Sequence, residues 1–339
     1  MKEGNNYFPT QFGLSLLRIL ATFSVIVIHV SGSLVNQFGI VSMFDWNVAN
    51  FFDSISRYSV PVFFMISGAL LLGKDYELID FLRKRFGKII PPFVFWSLIY
   101  SLLKRYVFGG EYFSLIKIIK DVFYGSKYHL WFVFALFGVY LTVPILRKWI
   151  KQASKKEIIY VLIIWSITLL LTIPKFKIYF PKIDFTYFSG FIGYFVLGYF
   201  LSLFKFKKKI SIFLIFFGST ITFLGTYYFT VKNGKFYNYF YEYLCLNTFI
   251  VSAGVFMFFN KIESANLKIA LRVTQLNQAC FGIYLMHPLV LEIFKINNFD
   301  VNSSTPLISI LLVSLSCFSL CFVIIHFCKK LKFSNLLVG

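Results

Sequence analysis

Acidic residues are scarce in this chain. Its 339 residues include 14 Asp and Glu against 34 Lys and Arg, and charged residues of both signs make up only 14%. A soluble protein carries about a quarter of its residues as Asp, Glu, Lys or Arg, so this composition excludes an ordinary soluble domain. Cysteine offers no framework either. Cys245, Cys280, Cys317, Cys321 and Cys328 are odd in number, with no Cys-x-x-Cys and no His at ligand spacing. That excludes a disulfide scaffold and a zinc site. Cys317 and Cys321, one helical turn apart in an apolar run, read as packing residues. No internal repeat, low-complexity linker or soluble appendage interrupts the sequence, which reads as one domain over 1–339 with its core at 10–330.

What is abundant is apolar surface. Hydrophobic residues make up 58% and aromatic ones 21%, with 46 Phe, and the mean hydropathy is +0.74. Stretches long enough to cross a ~30 Å hydrocarbon core recur along the chain. The expected fold is all-α, a polytopic membrane bundle of ten spans, at 14–34, 58–73, 89–108, 130–147, 158–174, 188–204, 210–230, 243–260, 279–295 and 305–328. The first is read as a retained span and not a signal peptide, because Arg18 interrupts its apolar region and no small-residue cleavage site follows. The second is short and is expected to tilt or break near Pro61 and Gly68. The segment 46–57 before it is expected to lie along the outer surface as an amphipathic helix.

The net charge of +20 comes from short basic clusters between apolar segments, not from one continuous surface. That pattern marks loops facing the cytoplasm and gives no reason to expect a nucleic-acid partner. Most Lys and Arg fall in the loops after spans two, four, six and eight and at the two ends. Both termini are therefore expected inside, in a cell membrane. A basic inner face suits anionic lipid headgroups or a phosphorylated molecule arriving from the cytosol.

Against this apolar background two ionisable residues stand out on the first span, Arg18 and His29. Eleven residues of α-helix make about three turns with roughly 20° left over, so both side chains leave the same face, about 16 Å apart along the axis. Titratable groups at membrane depth normally face a protein-lined or watery cavity and mark a reaction or transport path. A histidine there can take a proton from a hydroxyl near neutral pH, as a general base must. For Arg18 alone a snorkelling side chain explains as much.

Four further motifs carry polar chemistry. Ser67-Gly68, within Val60-Pro-Val-Phe-Phe-Met-Ile-Ser-Gly and downstream of Trp46-Asn-Val-Ala-Asn50 and Ser56-Arg57, permits close backbone approach and offers a hydroxyl. Arg83-Lys84-Arg85 and Lys88 precede Pro91-Pro92, as either a topology flank or a phosphate clamp. Tyr128-His129-Leu-Trp131 marks the entrance of span four, where an aromatic belt is the usual role. In Gly282-Ile-Tyr284-Leu-Met-His287-Pro288, the proline frees a backbone carbonyl inside a helix and makes a polar spot at membrane depth. His326, near the end of the last span, reads as structural.

Taken in order, these motifs resemble those of the acyltransferase-3 family of integral membrane O-acyltransferases, over essentially the whole chain. Trp46-Asn-Val-Ala-Asn50 with Ser56-Arg57 is similar to the branch that contains the O-acetyltransferase of enterobacterial common antigen. Departures are an Arg-x-x-Lys at Arg85 and Lys88 where the family has Arg-x-x-Arg, Leu17-Arg18-Ile19 where Arg-Gly is usual, and Ala69 where an aromatic often follows Ser-Gly. The resemblance implies transfer of an acyl group, acetyl being expected, from acyl-CoA to a sugar hydroxyl of a surface or lipid-linked bacterial polysaccharide, in the inner membrane. No permanently bound cofactor is implied. It assigns His29 and Arg18 to catalysis, Arg85 and Lys88 to the CoA phosphates, and Ser67, Arg57, His129, Trp131, Tyr284 and His287 to substrate contact. Both direct transfer and a two-step route through an acyl-histidine remain open. A flippase of lipid-linked sugars is the alternative, although the paired broken helices of repeat-built transporters are missing from the sequence.

Overall fold

The computed structural model describes residues 11–106, 114–173, 183–264 and 266–331, together with Ser334 and Val338. The far ends of the predicted spans 89–108 and 158–174 lie outside the described residues. Every regular element among the described residues is helical. In chain order they are α1 (Phe12–Val35), α2 (Met43–Ser56), α3 (Ser59–Leu71), α4 (Leu78–Tyr106), α5 (Leu115–Tyr124), α6 (Trp131–Gln152), α7 (Lys155–Leu170), α8 (Ile192–Ser202), α9 (Lys208–Asn233), α10 (Leu246–Phe259), α11 (Leu267–Ile296) and α12 (Pro306–Cys328).

Among the described residues, eight stretches are long and apolar enough to cross a membrane, so the chain is a polytopic helical membrane protein. The predicted spans at 158–174 and 188–204 form helices, but short ones: α7 has 16 residues and α8 has 11. Eleven residues rise only about 16 Å, roughly half of a hydrocarbon core. α8 is instead a buried strut, with Gly193 through Gly198 all shielded.

The segment expected on the outer surface is not there. α2 buries Trp46, Ala49, Asn50, Phe52 and Asp53 and packs against α1 and α9. The Trp46 indole N–H donates to the carbonyl of Val35 at 2.9 Å, folding the start of α2 back on the end of α1. A serine cap, Ser42 accepting from the amide of Asp45, starts this helix. Nor does α3 break at Pro61. The proline sits in the first turn of α3, where its missing N–H costs no helical hydrogen bond.

α1 is the hub, in contact with α2, α3, α10, α11 and α12. Leu17, Ala21 and Ile26 on it are completely buried. Around this centre, α3 and α8 cross with their backbones touching. A Cβ on Gly68 would stand 1.8 Å from the carbonyl oxygen of Phe195, and one on Gly198 would stand 2.0 Å from that of Met65. Small residues at a crossing let two membrane helices approach closely and gain packing where no hydrophobic drive exists between them. At the helix ends, Lys151 pairs with Asp75 and ties the α3–α4 connection to the end of α6. The Lys151 hydrogen bond holds the Asp75 carboxyl below its ordinary range.

The crossing predicts its own test. Gly68→Ala forces α3 and α8 apart and should destabilise the bundle by about 3 kcal/mol or more, at the upper end of overpacking costs. Gly138, on α6, has no neighbour within 4 Å of an added Cβ. Gly138→Ala should be neutral or stabilising by up to about 1 kcal/mol. Thermal unfolding of the two purified variants in one detergent should separate them, and equal midpoints would refute the close-approach argument.

Candidate active site

The polar residues of α1 find their partners on α11. The Arg18 Nη1 donates to the Asn277 side-chain oxygen at 2.7 Å. Further along, the His29 ring stacks on that of His287, with centroids 5.1 Å apart and planes inclined by 20°. The two contacts advance together along both helices, so α1 and α11 run parallel side by side. The shared face read from the spacing of Arg18 and His29 is therefore the face against α11.

A third histidine joins them. His129 lies in the 3-10 turn Tyr128–Leu130 that leads into α6, its ring centroid 5.4 Å from that of His287. Three of the chain's four histidines thus meet at one level. The Tyr284 hydroxyl donates to the His129 carbonyl and pins this turn to α11. Tyr100 of α4 presents its ring to His129 at 5.4 Å and donates its hydroxyl to the Leu285 carbonyl at 2.7 Å. Beside them Lys127 pairs with Glu292. His129 and His287 are 2% and 0% exposed, whereas His29 is half-buried. The contacts that hold His29 are ring contacts, the face of His287 and the edge of Tyr128 at 4.9 Å.

Two cavities flank this level, and they differ in chemistry. One, of about 270 Å³, brings Arg18, Arg85 and Lys88 around Asn277, Cys280, Ser67 and Tyr284, with no Asp or Glu among its described lining. Three cations with no acid between them make a site for an anion. The Ser67 hydroxyl lies 3.5 Å from that of Tyr140 in the same cavity.

The second cavity, of about 540 Å³, opens beyond His29, at Gly32 and Asn36. It is walled by aromatic rings and one ion pair. Arg57 pairs with Asp53, and its guanidinium lies 4.0 Å over the Tyr241 ring while donating to the Tyr241 carbonyl at 3.1 Å. Trp131 stacks on Tyr243 at 5.7 Å. Glu242 also lines the space, so two carboxylates face one guanidinium. Such flat rings and paired acceptors suit a neutral polyhydroxylated molecule better than an anion. Consecutive residues separate the two spaces: Trp131 lines the aromatic cavity and Phe132 the cationic one.

The ten residues singled out from sequence fall into three places. Arg18, Arg85, Lys88, Ser67 and Tyr284 line the cationic cavity. Arg57 and Trp131 line the aromatic one. His29, His129 and His287 form the cluster at the level between them. Ser67 thus stands with the cations and apart from Arg57. Asp53, Tyr241, Tyr243 and Asn277 were missed. Asp53 was within reach, since Asp53 and Arg57 are four apart on a helix and face the same way. Asn277 carried no such signal, because only the packing of α1 on α11 makes it the partner of Arg18. Among the described residues His326 makes ring contacts with Phe322 and Phe327, away from the cluster.

Comparison with known proteins bears on the family of the chain. A curated protein of Bacillus subtilis strain 168, named "Putative membrane-bound acyltransferase YfiQ", is 28% identical over 151 residues, which are 42% of this chain and 41% of that protein. The chain thus matches about two fifths of that relative's length. No solved structure matches it. The family model described as "Acyltransferase domain" (Acyl_transf_3) covers residues 11–326, from the start of the helix that bears Arg18 and His29 almost to the end of the last helix. With that span matched, the chain belongs to the acyltransferase-3 family of membrane acyltransferases.

Proposed function

We propose that this protein moves an acetyl group from acetyl-CoA to a sugar hydroxyl of a lipid-linked or exported glycan, with His29 as general base. The observation that carries this reading is the position of the histidine cluster, with a cationic cavity on one side and an aromatic, net acidic one on the other. An acyl-CoA brings phosphates at one end and a thioester at the other. The phosphates belong near Arg85 and Lys88, and the pantetheine arm runs past Arg18 along α1 toward His29. The sugar belongs against Trp131, Tyr243 and the Asp53–Arg57 pair. A cavity of about 270 Å³ accepts part of the donor, not all of it, so the adenosine lies at the mouth near Lys88, which is exposed.

The chemistry follows from that placement. His29 takes the hydroxyl proton as the sugar oxygen attacks the thioester carbonyl. The carbon–sulfur bond breaks, and the imidazolium returns its proton to the leaving thiolate, so protons balance without water entering. Arg18 keeps its charge when largely buried and can steady an oxygen of the donor. The charge distribution between spans supports an inward-facing cationic side, with both ends of the chain in the cytoplasm of a bacterial cell. The order Trp46 to Arg57 supports an acceptor related to enterobacterial common antigen, since that segment, α2 and the Arg57 that caps it, supplies Asp53 and Arg57 to the aromatic cavity.

His29→Ala should insert and accumulate normally yet lose about 10²–10⁴-fold in acetyl transfer, the usual cost of removing a general base. Membranes holding this variant and radiolabelled acetyl-CoA would measure it. An undiminished rate, or glycan translocation by the wild type without release of CoA, would reject the assignment. Removing both charges in Arg85→Ala/Lys88→Ala should raise the apparent KM for acetyl-CoA at least about tenfold and change kcat less. An unaltered donor KM would return these residues to a topology role.

A further inference from the structure

Proline inside a helix leaves a carbonyl without its donor, four residues back. In α11 the proline is Pro288, and the carbonyl deprived of a partner is that of Tyr284. A backbone carbonyl left bare in an apolar interior carries its full desolvation penalty, so some other donor is required. The structure supplies one from the neighbouring side chain: His287 Nδ1 lies 2.6 Å from the Tyr284 carbonyl oxygen. A carbonyl only accepts, so the proton in this bond belongs to Nδ1. In a neutral imidazole the other nitrogen, Nε2, then carries a lone pair. Among the described residues, that Nε2 is buried and has no hydrogen-bond partner.

A bond through Nδ1 fixes more than a tautomer. It removes the freedom of the ring to flip or turn about its side-chain torsions, because either motion breaks the bond in a place with no water to replace it. The fixed ring is the one on whose face His29 lies, 5.1 Å away and nearly parallel. A general base is usually oriented by a hydrogen bond to a third group. His29 is oriented by ring contacts instead, with Tyr128 at its other side. The residue that could move least in this group is therefore His287.

We propose that His287 is the positioning residue for His29: the carbonyl stranded by Pro288 locks His287 in its Nδ1–H form, and the locked ring holds the His29 imidazole in its working orientation by stacking. The catalytic consequence rests on the acyl-transfer reading above, while the lock itself does not. It gives the sequence His287-Pro288 a mechanical meaning, since the proline creates the acceptor and the histidine before it is in place to use it.

Pro288→Ala is the decisive variant. It restores an N–H at position 288, which competes for the Tyr284 carbonyl, and alanine in a helix favours folding, so the protein should accumulate. Solid-state NMR on protein labelled with ¹⁵N-histidine in lipid reads the tautomer directly, with the His287 signals assigned by their loss in His287→Asn. The wild type should show His287 protonated at Nδ1 and bare at Nε2, and Pro288→Ala should show a mixture of forms. Its kcat for acetyl transfer should fall about 10–100-fold, as expected for a small misplacement of a catalytic group, with donor and acceptor KM within about twofold of wild type. His287→Asn keeps a donor for the carbonyl but removes the ring face, so it should fold and show a kcat as low. An Nε2–H tautomer in the wild type, an unchanged tautomer in Pro288→Ala, or a wild-type kcat in either variant would overturn the proposal. A locked tautomer in a wild-type protein that transfers no acyl group would sink the catalytic reading and leave His287 a packing device, which also overturns its positioning role.

Discussion

A polar side chain on a helix surrounded by apolar helices must be met by a polar group from a neighbour, because no water stands in for it. Most of the arrangement around α1 follows from that requirement. Four of its polar residues have an answering group on another segment: Arg18 has Asn277 at 2.7 Å, Ser24 has the Tyr58 hydroxyl at 2.8 Å, Ser31 has Asp53 at 3.4 Å and His29 has the ring of His287, while Thr22 and Ser33 bond to carbonyls of α1 itself. The partners come from α11, from the α2–α3 junction and from α2, and they fix which helices can adjoin the hub. α2 could not have remained on the surface once Asp53 and Arg57 were needed inside. An ion pair there is costly to desolvate, but removing either partner would leave a buried charge alone, typically a loss of 3–5 kcal/mol.

The same requirement separates the two cavities. Cations gathered from α1 and α4 lie on one side of the histidine level, and the Asp53–Arg57 pair with its aromatic rings lies on the other. Under the function proposed above, this would direct a donor rich in phosphate and a neutral acceptor to different ends of one path, with the histidine level between them. Electrostatic interactions gain strength in such an enclosed place. The wall between the spaces is a single turn, tied to α11 by the Tyr284 hydroxyl.

Much of this was legible in the chain. The eleven-residue spacing of Arg18 and His29 correctly gave one shared face, because helical geometry is local and needs no partner to be known. Ser67-Gly68 correctly marked a close crossing, and Pro288 a freed carbonyl. The count of spans was less secure. Apolar length cannot distinguish a helix that crosses the membrane from one, such as α8, whose apolar residues face other helices. The role of α2 was misread for a related reason: its Asp, Asn and Arg look like a wet face until Tyr241 and Ser31 are brought against them. Asn277 lay beyond any local reading, since nothing in a sequence states which helices are neighbours.

The parallel pairing of α1 with α11 also sets a clock on assembly. Arg18 and Asn277 are 259 positions apart, and a ribosome adds about 5–20 residues per second. For roughly 13–50 s after it enters the bilayer, α1 therefore holds an arginine and a histidine whose final partners have not yet been synthesised. During that interval water at the translocation channel, lipid headgroups or an assisting protein must accommodate them. The helix that ends as the hub of the bundle is thus the least comfortable passenger at the beginning of synthesis.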